Sequence, residues 1–248
     1  MNVERSSGAG ILLIGDELLS GRTRDVNLQH IATVLGTLGI AVREARVVPD
    51  LVHEIVAAVR ALAARHSFVF TTGGIGPTHD DVTAEAMARA FDRPLTFHPQ
   101  AVAALERYYG PEKFNDARRR MARVPEGAAL IENPVSVAPG FRIDNVFVLA
   151  GIPLIVEAMM ESLKCELPGG PAIESRIVVA AAGEGDLAQG LAALQDRHSG
   201  LAIGSYPGLF GGRMVTRIVA RGTDTDELEE ARDEAEALVR HLGYEVLE

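Results

Sequence analysis

Short apolar runs alternate with helical periodicity along the first two thirds of the chain. Residues 11–14, 42–48 and 68–70 have the length and composition of buried strands. Apolar residues between and after these runs recur every three or four positions, which is typical of helices with one buried face. The helical stripes are Leu28, Ile31, Leu35 and Leu38, then Leu51, Ile55, Val59 and Leu62, then Ala84, Met87, Ala88 and Phe91. This alternation predicts a parallel sheet covered by helices on both faces.

The pattern is less regular in the middle of the chain and restarts near its end. Residues 99–123 are predicted to be helical, and residues 135–148 to form a hairpin that turns at 144–145. The proline- and glycine-rich residues 167–171 predict a linker between domains at 8–167 and 172–248. Beyond it the order is β-α-β-β-α-β, with Gly211-Gly212 as the middle turn. We therefore predict a three-layer αβα domain with a mostly parallel sheet, followed by a small ferredoxin-like α+β module.

Residues 71–83, with the sequence TTGGIGPTHDDVT, connect a predicted strand to a predicted helix. Gly73, Gly74 and Gly76 allow backbone N–H groups to approach an anion, and the helix N-terminus adds partial positive charge. Asp80 and Asp81 would repel a bound phosphate unless a cation lay between them. The segment therefore suggests a phosphate or pyrophosphate bridged by Mg²⁺ or another divalent metal.

The same residues have ordinary structural roles that stay open. Gly-Gly turns are common, and Asp81 or Asp50 could simply cap the helix that follows. Thr78 and Thr83 fit phosphate-binding or capping hydroxyls, and Glu85 fits either the helix dipole or a metal contact. Asp50 and the segment 15–17 each follow a predicted strand. Because ligands bind beyond the carboxyl ends of parallel strands, we expect these segments to meet the glycine loop.

The net charge, the cysteine count and the lack of long apolar runs limit the kinds of partner and the cellular compartment that we expect for this chain. The chain has 248 residues, a net charge of −10 and a single cysteine, Cys165. An acidic chain without a basic tract is a poor nucleic-acid binder, and one cysteine rules out an internal disulfide. No apolar run is long enough to span a membrane, and no signal-peptide core is evident. We expect a cytoplasmic protein that binds neither nucleic acid nor membrane.

Several motifs appear in an order that resembles one known family. They are IGDELL at 14–19, Asn27, Asp50, GGIGPTHDDVT at 73–83, Asn133-Pro134, APGF at 138–141, GIP at 151–153 and IGSYP at 203–207. The set resembles the molybdopterin-binding domain of the MoaB/Mog family, above all the N-terminal part of CinA proteins and the related domain of FAD synthases. Family members carry Gly-Thr where this chain has Ser136-Val137.

The resemblance implies a site that holds a molybdopterin-like or adenine-nucleotide ligand through its diphosphate. Its implied ligand-binding residues are Gly15, Asp16, Asn27, Thr72, Gly73, Gly74, Gly76, Pro77, Thr78, Thr83, Ser136, Pro139 and Gly140. Asp50 and Asp81 are the implied catalytic residues, and Asp80, Asp81 and Glu85 the implied metal ligands.

Three functions remain open at this point: a divalent-metal-dependent hydrolase of ADP-ribose or FAD, a step of molybdenum-cofactor assembly, and a ligand-binding module without turnover. We also expect a homo-oligomer, a dimer or trimer, and a C-terminal module that dimerises or covers the pocket.

Overall fold

The computed structural model describes residues 6–247, which divide into two compact units at Gly169/Gly170. This division falls within the predicted linker. The first unit contains β1 (Ser6–Ile14), α1 (Asp16–Leu19), α2 (Asn27–Thr37), β2 (Val42–Val48), α3 (Val52–Arg65), β3 (His66–Thr72), α4 (Thr83–Ala90), β4 (Leu95–Phe97), α5 (Pro99–Tyr109), α6 (Asp116–Arg120), β5 (Arg123–Pro125), β6 (Ala129–Ile131), β7 (Gly140–Ile143), β8 (Val146–Leu149) and α7 (Pro153–Leu163). The second contains β9 (Glu174–Ala180), α8 (Glu184–Arg197), β10 (Ala202–Phe210), β11 (Arg213–Gly222), α9 (Thr225–His241) and β12 (Val246–Leu247).

The main sheet of the first unit has the strand order β2-β1-β3-β8-β7-β6. The strands β2, β1, β3 and β8 run parallel to one another. The strand β7 is antiparallel to both of its neighbours, so β6 runs in the same direction as the four parallel strands. The predicted mostly parallel sheet is confirmed.

The central strand β1 shows how one apolar run supports three layers. Leu12 and Ile14 pack in a cluster with buried residues of α3 and α4. Ile11 and Leu13 pack in a second cluster with buried residues of α2 and α7. Successive side chains of a strand point to opposite faces, so a run buried on both sides requires helices above and below it.

The second unit contains a four-stranded antiparallel sheet in the order β10-β11-β9-β12. One face of this sheet packs on α8 and α9 through a cluster that includes Val178, Leu191, Ile218 and Val239. Gly211 and Gly212 form the turn between β10 and β11, with φ angles of +57° and +79°. Two positive φ angles are required in a tight type I′ hairpin, which explains the glycine pair. The predicted ferredoxin-like module is confirmed.

The middle of the chain differs from the sequence prediction. The helical segment predicted at 99–123 is two helices, because Gly110, with a φ of +73°, ends α5 and is followed by Pro111. The predicted hairpin begins only at Gly140, and residues 132–139 form a loop. The strands β4, β5 and β6 have three residues each, too few to give a periodic pattern. No helix within residues 6–247 has both the length and the apolar character needed to cross a membrane.

Candidate functional site

A cavity of about 550 Å³ lies at the carboxyl ends of the parallel strands. The segments that follow β1, β2, β3 and β8 all contribute residues to its wall. The loop 132–139 after β6 contributes as well, because β6 ends at the same edge of the sheet. Parallel strands thus gather residues that are far apart in sequence around one space.

The loop after β3 lies so close to its neighbours that only glycine fits. A Cβ on Gly73, whose φ is +103°, would stand 2.1 Å from the carbonyl oxygen of Ile14. A Cβ on Gly74, whose φ is +68°, would stand 2.2 Å from the Thr83 hydroxyl. Both glycines, together with Gly76 and Pro77, line the cavity. The predicted glycine loop is therefore held between β1 and the start of α4.

Thr83, the first residue of α4, holds this loop in place through two hydrogen bonds. Its side chain is completely buried, and its hydroxyl donates a hydrogen bond of 2.9 Å to the Gly73 carbonyl oxygen. Its backbone N–H donates to the Gly74 carbonyl oxygen at 3.0 Å. The hydroxyl hydrogen is therefore used within the protein, and Thr83 acts on the ligand site by positioning the loop.

Asp81 faces the same loop rather than α4. Its Oδ2 accepts hydrogen bonds from the backbone N–H of Thr78 at 2.7 Å and from the Thr78 hydroxyl at 2.5 Å. The helix α4 has Val82 at its N-cap position and no side-chain cap. The alternative role of Asp81 as a helix cap is therefore wrong, because its carboxylate turns back toward Thr78.

Asp80 is the exposed carboxylate of the cavity wall. The nearby Thr78 hydroxyl, and then its own backbone N–H, hold the pKa of Asp80 below its ordinary value. Asp80 is accordingly charged at neutral pH.

Asp50 connects the ends of two neighbouring strands. Its Oδ2 accepts a hydrogen bond of 2.9 Å from the backbone N–H of Asp16, at the start of α1. The alternative role as a cap of α3 is wrong, because Leu51 takes that position and α3 has no side-chain cap. Burial raises the pKa of Asp50, and the negative charges of Glu17, Asp16 and Asp80 raise it further against the Asp16 N–H.

We expect Asp50→Asn to be more stable than the unmodified protein at neutral pH, by about 2 °C in Tm. A carboxyl whose pKa is raised on folding binds its proton more tightly in the folded state, so stability falls as the pH rises through that raised pKa. The difference between the two proteins should vanish in acid and grow toward pH 7. Thermal melts across pH measure it, with Asp144→Asn in the exposed β7–β8 turn as the control. A constant difference at every pH would contradict the prediction.

The other residues expected at the site are distributed around the cavity, and some lie away from it. Gly15 donates its N–H to the Val48 carbonyl oxygen, and Ser136 lies on the cavity wall. Asn27 and Thr72 line a smaller recess that adjoins the cavity. Pro139 lines a third, narrow space behind the glycine loop, beside Arg120 and Arg123.

Two of the expected residues have other partners. A Cβ on Gly140 would stand 2.4 Å from the Val148 carbonyl oxygen, so Gly140 serves the close pairing of β7 with β8. Glu85 forms an ion pair with Arg89, one turn along α4, in which Oε1 lies 2.5 Å from the guanidinium nitrogen. Gly140 and Glu85 both lie outside the cavity wall. The role of Glu85 as a metal ligand stays a prediction.

Asn133 organises the loop 132–139, of which residues 135–139 were predicted to belong to a hairpin. Its Oδ1 accepts from the backbone N–H groups of Val135 and Ser136, and its Nδ2 donates to Ser136 Oγ and the Ala138 carbonyl oxygen. The Val137 N–H donates to the Asn133 carbonyl oxygen. This closed turn gives Val137 a φ of +66°, a conformation that a β-branched residue adopts only under strain.

We expect Val137→Gly to stabilise the protein by about 1 kcal/mol, because glycine adopts a positive φ without the clash of a Cβ. Val135→Gly is the matched control, since Val135 lies in the same loop at an ordinary φ. That control should be destabilised, because glycine raises the conformational entropy of the unfolded chain. Urea unfolding of the three proteins measures both effects. Equal destabilisation by both substitutions would show that Val137 carries no strain.

The apolar part of the cavity wall was not predicted as part of the site. Met121 after α6, Ile75 in the glycine loop, and Ile152 and Ile155 after β8 line the cavity. The GIP motif at 151–153 offered a signal, because it follows a predicted strand and begins a helix. No sequence signal pointed to Met121, since its position on the cavity wall depends on how residues 99–123 fold.

The electrostatics of the cavity are dominated by acids. Glu17, Asp50, Asp80 and Asp81 line it, and no Lys or Arg is among its described lining residues. Within residues 6–247, no three His, Cys, Asp or Glu side chains lie close enough together to hold a metal ion by themselves. The protein thus offers scattered carboxylates around a glycine loop rather than a complete metal cage.

Two family models match this chain, each over a different part of it. Residues 10–168 match a family model described as "Probable molybdopterin binding domain", and residues 172–244 match one described as "FAD synthase, middle domain". A protein of Aeropyrum pernix is 35% identical over 94% of this chain and 91% of its own length. A CinA-like protein of Desulfosudis oleivorans is 39% identical over 62% of this chain. The match spans only 39% of that relative's length.

A solved structure supports the fold of the first unit. The crystal structure of the protein CinA with unknown function from Thermoplasma acidophilum is 33% identical, with a TM-score of 0.62. The match covers 64% of this chain and 97% of that one. Together with the family model that spans residues 10–168, these matches show that the chain belongs to the CinA-like family of molybdopterin-binding domains of the MoaB/Mog type.

Proposed function

We propose that the chain is a divalent-metal-dependent hydrolase of a nucleotide pyrophosphate such as ADP-ribose or FAD. The observation that carries this proposal is the meeting of the glycine loop with four carboxylates around one cavity of about 550 Å³. That volume lies in the range of about 300–1,000 Å³ found for small-molecule sites. Met121, Ile152 and Ile155 add an apolar surface against which a flat ring system can pack.

The charge of the cavity supports a metal ion as part of the ligand complex. A diphosphate beside Glu17, Asp50, Asp80 and Asp81 would meet uncompensated repulsion, since no cationic side chain lines the same space in the described residues. A divalent cation removes that repulsion. Burial is the main cause of the raised pKa of Asp50, and the negative charges of Glu17, Asp16 and Asp80 raise it further.

The residues present fit Mg²⁺ shared with the ligand rather than bound by the protein alone. Mg²⁺ usually takes one or two carboxylates and completes its shell with water and substrate phosphates, so three converging acids are unnecessary. One or two of the carboxylates of Asp50, Asp80 and Asp81 would hold it. When bound, the ion would neutralise the diphosphate and acidify a water molecule.

The residues around the cavity would position the diphosphate and the Asp81 carboxylate. The glycine loop, fixed by Thr83, presents backbone N–H groups to the diphosphate. Thr78 holds Asp81 in one orientation through two hydrogen bonds. The apolar wall excludes water from one side of the ligand.

Binding of a molybdopterin-type ligand, with adenylyl transfer or without turnover, is the second candidate. The family model over residues 10–168 and the lack of a three-acid cluster among the described residues favour it. A panel of ADP-ribose, FAD, NAD and adenylyl-molybdopterin, assayed with and without Mg²⁺, separates the candidates. Metal-dependent release of AMP supports the hydrolase. Tight binding of any of these ligands without hydrolysis would move the assignment to the second candidate.

We propose a cytoplasmic homo-oligomer, a dimer or trimer, as the working form. The large apolar side chains of Tyr206, Leu209, Phe210 and Met214 on β10 and β11 are exposed, which supports a subunit contact through the second unit. Light scattering of the unmodified protein measures its mass, and a monomer would contradict this proposal.

A further inference from the structure

Residues 118–123 bring four arginines together in a chain whose net charge is −10. Two of these arginines contact aromatic rings. The guanidinium carbon of Arg118 lies 4.5 Å from the centre of the Tyr109 ring, and that of Arg119 lies 4.7 Å from the centre of the Phe97 ring. The face of an aromatic ring attracts a cation, so these two guanidinium groups are stabilised where they lie. The other two arginines have different surroundings.

Arg120, the last residue of α6, and Arg123, the first residue of β5, line the narrow space behind the glycine loop. Gly74, Gly76 and Asp81 line the same space. Both arginines are half-buried, and neither side chain forms a hydrogen bond or an ion pair with another residue that the structure describes. A guanidinium is always charged, and partial burial of a charge without a partner is unfavourable. The two side chains therefore favour an anion between them.

The donor groups that an anion would meet are accessible. The Nε of Arg123 is buried without a hydrogen-bond partner, whereas its two Nη atoms are not buried and have no partner among the described residues. No side-chain nitrogen of Arg120 is buried. The narrow space has a volume of about 10 Å³, which is the size of one water molecule or of one phosphate oxygen. The terminal nitrogens can therefore donate to a single anionic oxygen there.

The narrow space adjoins the cavity along the glycine loop. The two spaces share the lining residues Gly74, Ile75, Gly76, Asp81 and Met121. The acids Glu17, Asp50 and Asp80 line the cavity alone, whereas the two arginines line the narrow space alone. A phosphate bound at the loop would thus have acids on one side and cations on the other. An oxygen neutralised by a metal ion would face the acids, and a free anionic oxygen would face the arginines.

We propose that Arg120 and Arg123 form an anion subsite at the glycine loop, which takes one oxygen of a phosphate group. The inference rests on the proposed binding of a phosphate-bearing ligand in the cavity. The phosphate is either part of that ligand or a separate inorganic phosphate, and titration with each distinguishes the two sources. The planar guanidinium groups suit phosphate oxygens, to which they donate in pairs. Both arginines then determine affinity, while the carboxylates across the loop hold the metal ion.

The test measures Kd by calorimetry for ADP-ribose, FAD and inorganic phosphate, each with Mg²⁺, in the unmodified protein, Arg120→Gln and Arg123→Gln. We expect each substitution to weaken nucleotide binding by about tenfold, because a hydrogen bond to a charged group is lost. Arg120→Lys keeps the positive charge without the paired donors, so it should recover part of the affinity. A loss confined to inorganic phosphate would keep the subsite and assign it to a separate anion.

Arg119→Gln is the matched control. It removes the same charge one position earlier in α6, but Arg119 contacts Phe97 and lines neither space. Its affinities should stay within about twofold of those of the unmodified protein, because salt screens an exposed charge. Thermal melts confirm that each variant is folded.

If Arg120→Gln and Arg123→Gln bind all three ligands as tightly as Arg119→Gln does, the inference is wrong, even where the unmodified protein hydrolyses ADP-ribose. If the unmodified protein binds none of the three ligands, the inference and the proposed function fail together.

Discussion

Asp81→Asn is expected to reduce metal-dependent hydrolysis of ADP-ribose and FAD by about a hundredfold or more, while the fold is kept. Both hydrogen bonds from Thr78 reach one oxygen of Asp81, and the amide oxygen of asparagine can accept them in its place. The substitution therefore removes the negative charge and keeps the hydrogen bonds that hold the loop. A hard divalent cation requires the anionic oxygen, and a neutral amide is a poor replacement. Rates over a Mg²⁺ titration, beside a thermal melt, measure the two effects separately.

Asp144→Asn makes the same chemical change at the opposite edge of the sheet, in the β7–β8 turn. Its φ of +50° suits asparagine well, so neither rate nor stability should change. If Asp81→Asn hydrolyses both substrates at the unmodified rate across the metal titration, the carboxylate only shapes the loop through Thr78. The proposed catalytic role would then be lost.

Gly73→Ala is expected to destabilise the first unit by about 3–5 kcal/mol and to abolish ligand binding. The added Cβ would lie 2.1 Å from the Ile14 carbonyl oxygen, and the φ of +103° is unfavourable for alanine. The contact is with the backbone of the central strand, so it cannot be relieved by a side-chain rotation. The loop must move away from β1, and the hydrogen bond from Thr83 to Gly73 would be broken.

Gly127→Ala separates these two causes. Gly127 has a φ of +82°, and no atom lies within 4 Å of the position of its Cβ, so alanine there meets backbone strain alone. We expect about 1 kcal/mol of destabilisation for Gly127→Ala and unchanged ligand affinity. Urea unfolding and nucleotide titration of both variants provide the comparison. Similar losses of stability in the two variants would mean that the approach of the loop to Ile14 is not essential.

The regular parts of the first unit were predictable because their signals are local. The apolar run that ends at Ile14 is buried on both faces, and the helical stripe that includes Ile31 and Leu35 packs on it. The glycine-rich segment was predictable for the same reason, since positive φ angles and close approach both require glycine. The loop around Asn133 was not predictable, because hydrogen bonds to the Asn133 side chain replace the strand that was predicted to begin at residue 135.

The sequence alone determined the alternation of strands and helices from β1 to α4 and from β9 to β12, and which loops carry carboxylates and glycines. These features follow from periodicity and backbone restriction, which act over a few residues. Only the tertiary structure decided that Asp81 turns to Thr78, that Asp50 binds the Asp16 N–H, and that Asn27 serves Gly151. These hydrogen bonds form because the ends of several strands meet at one edge of the sheet, which brings together residues up to 124 positions apart. Which groups pair there depends on desolvation and hydrogen-bond geometry.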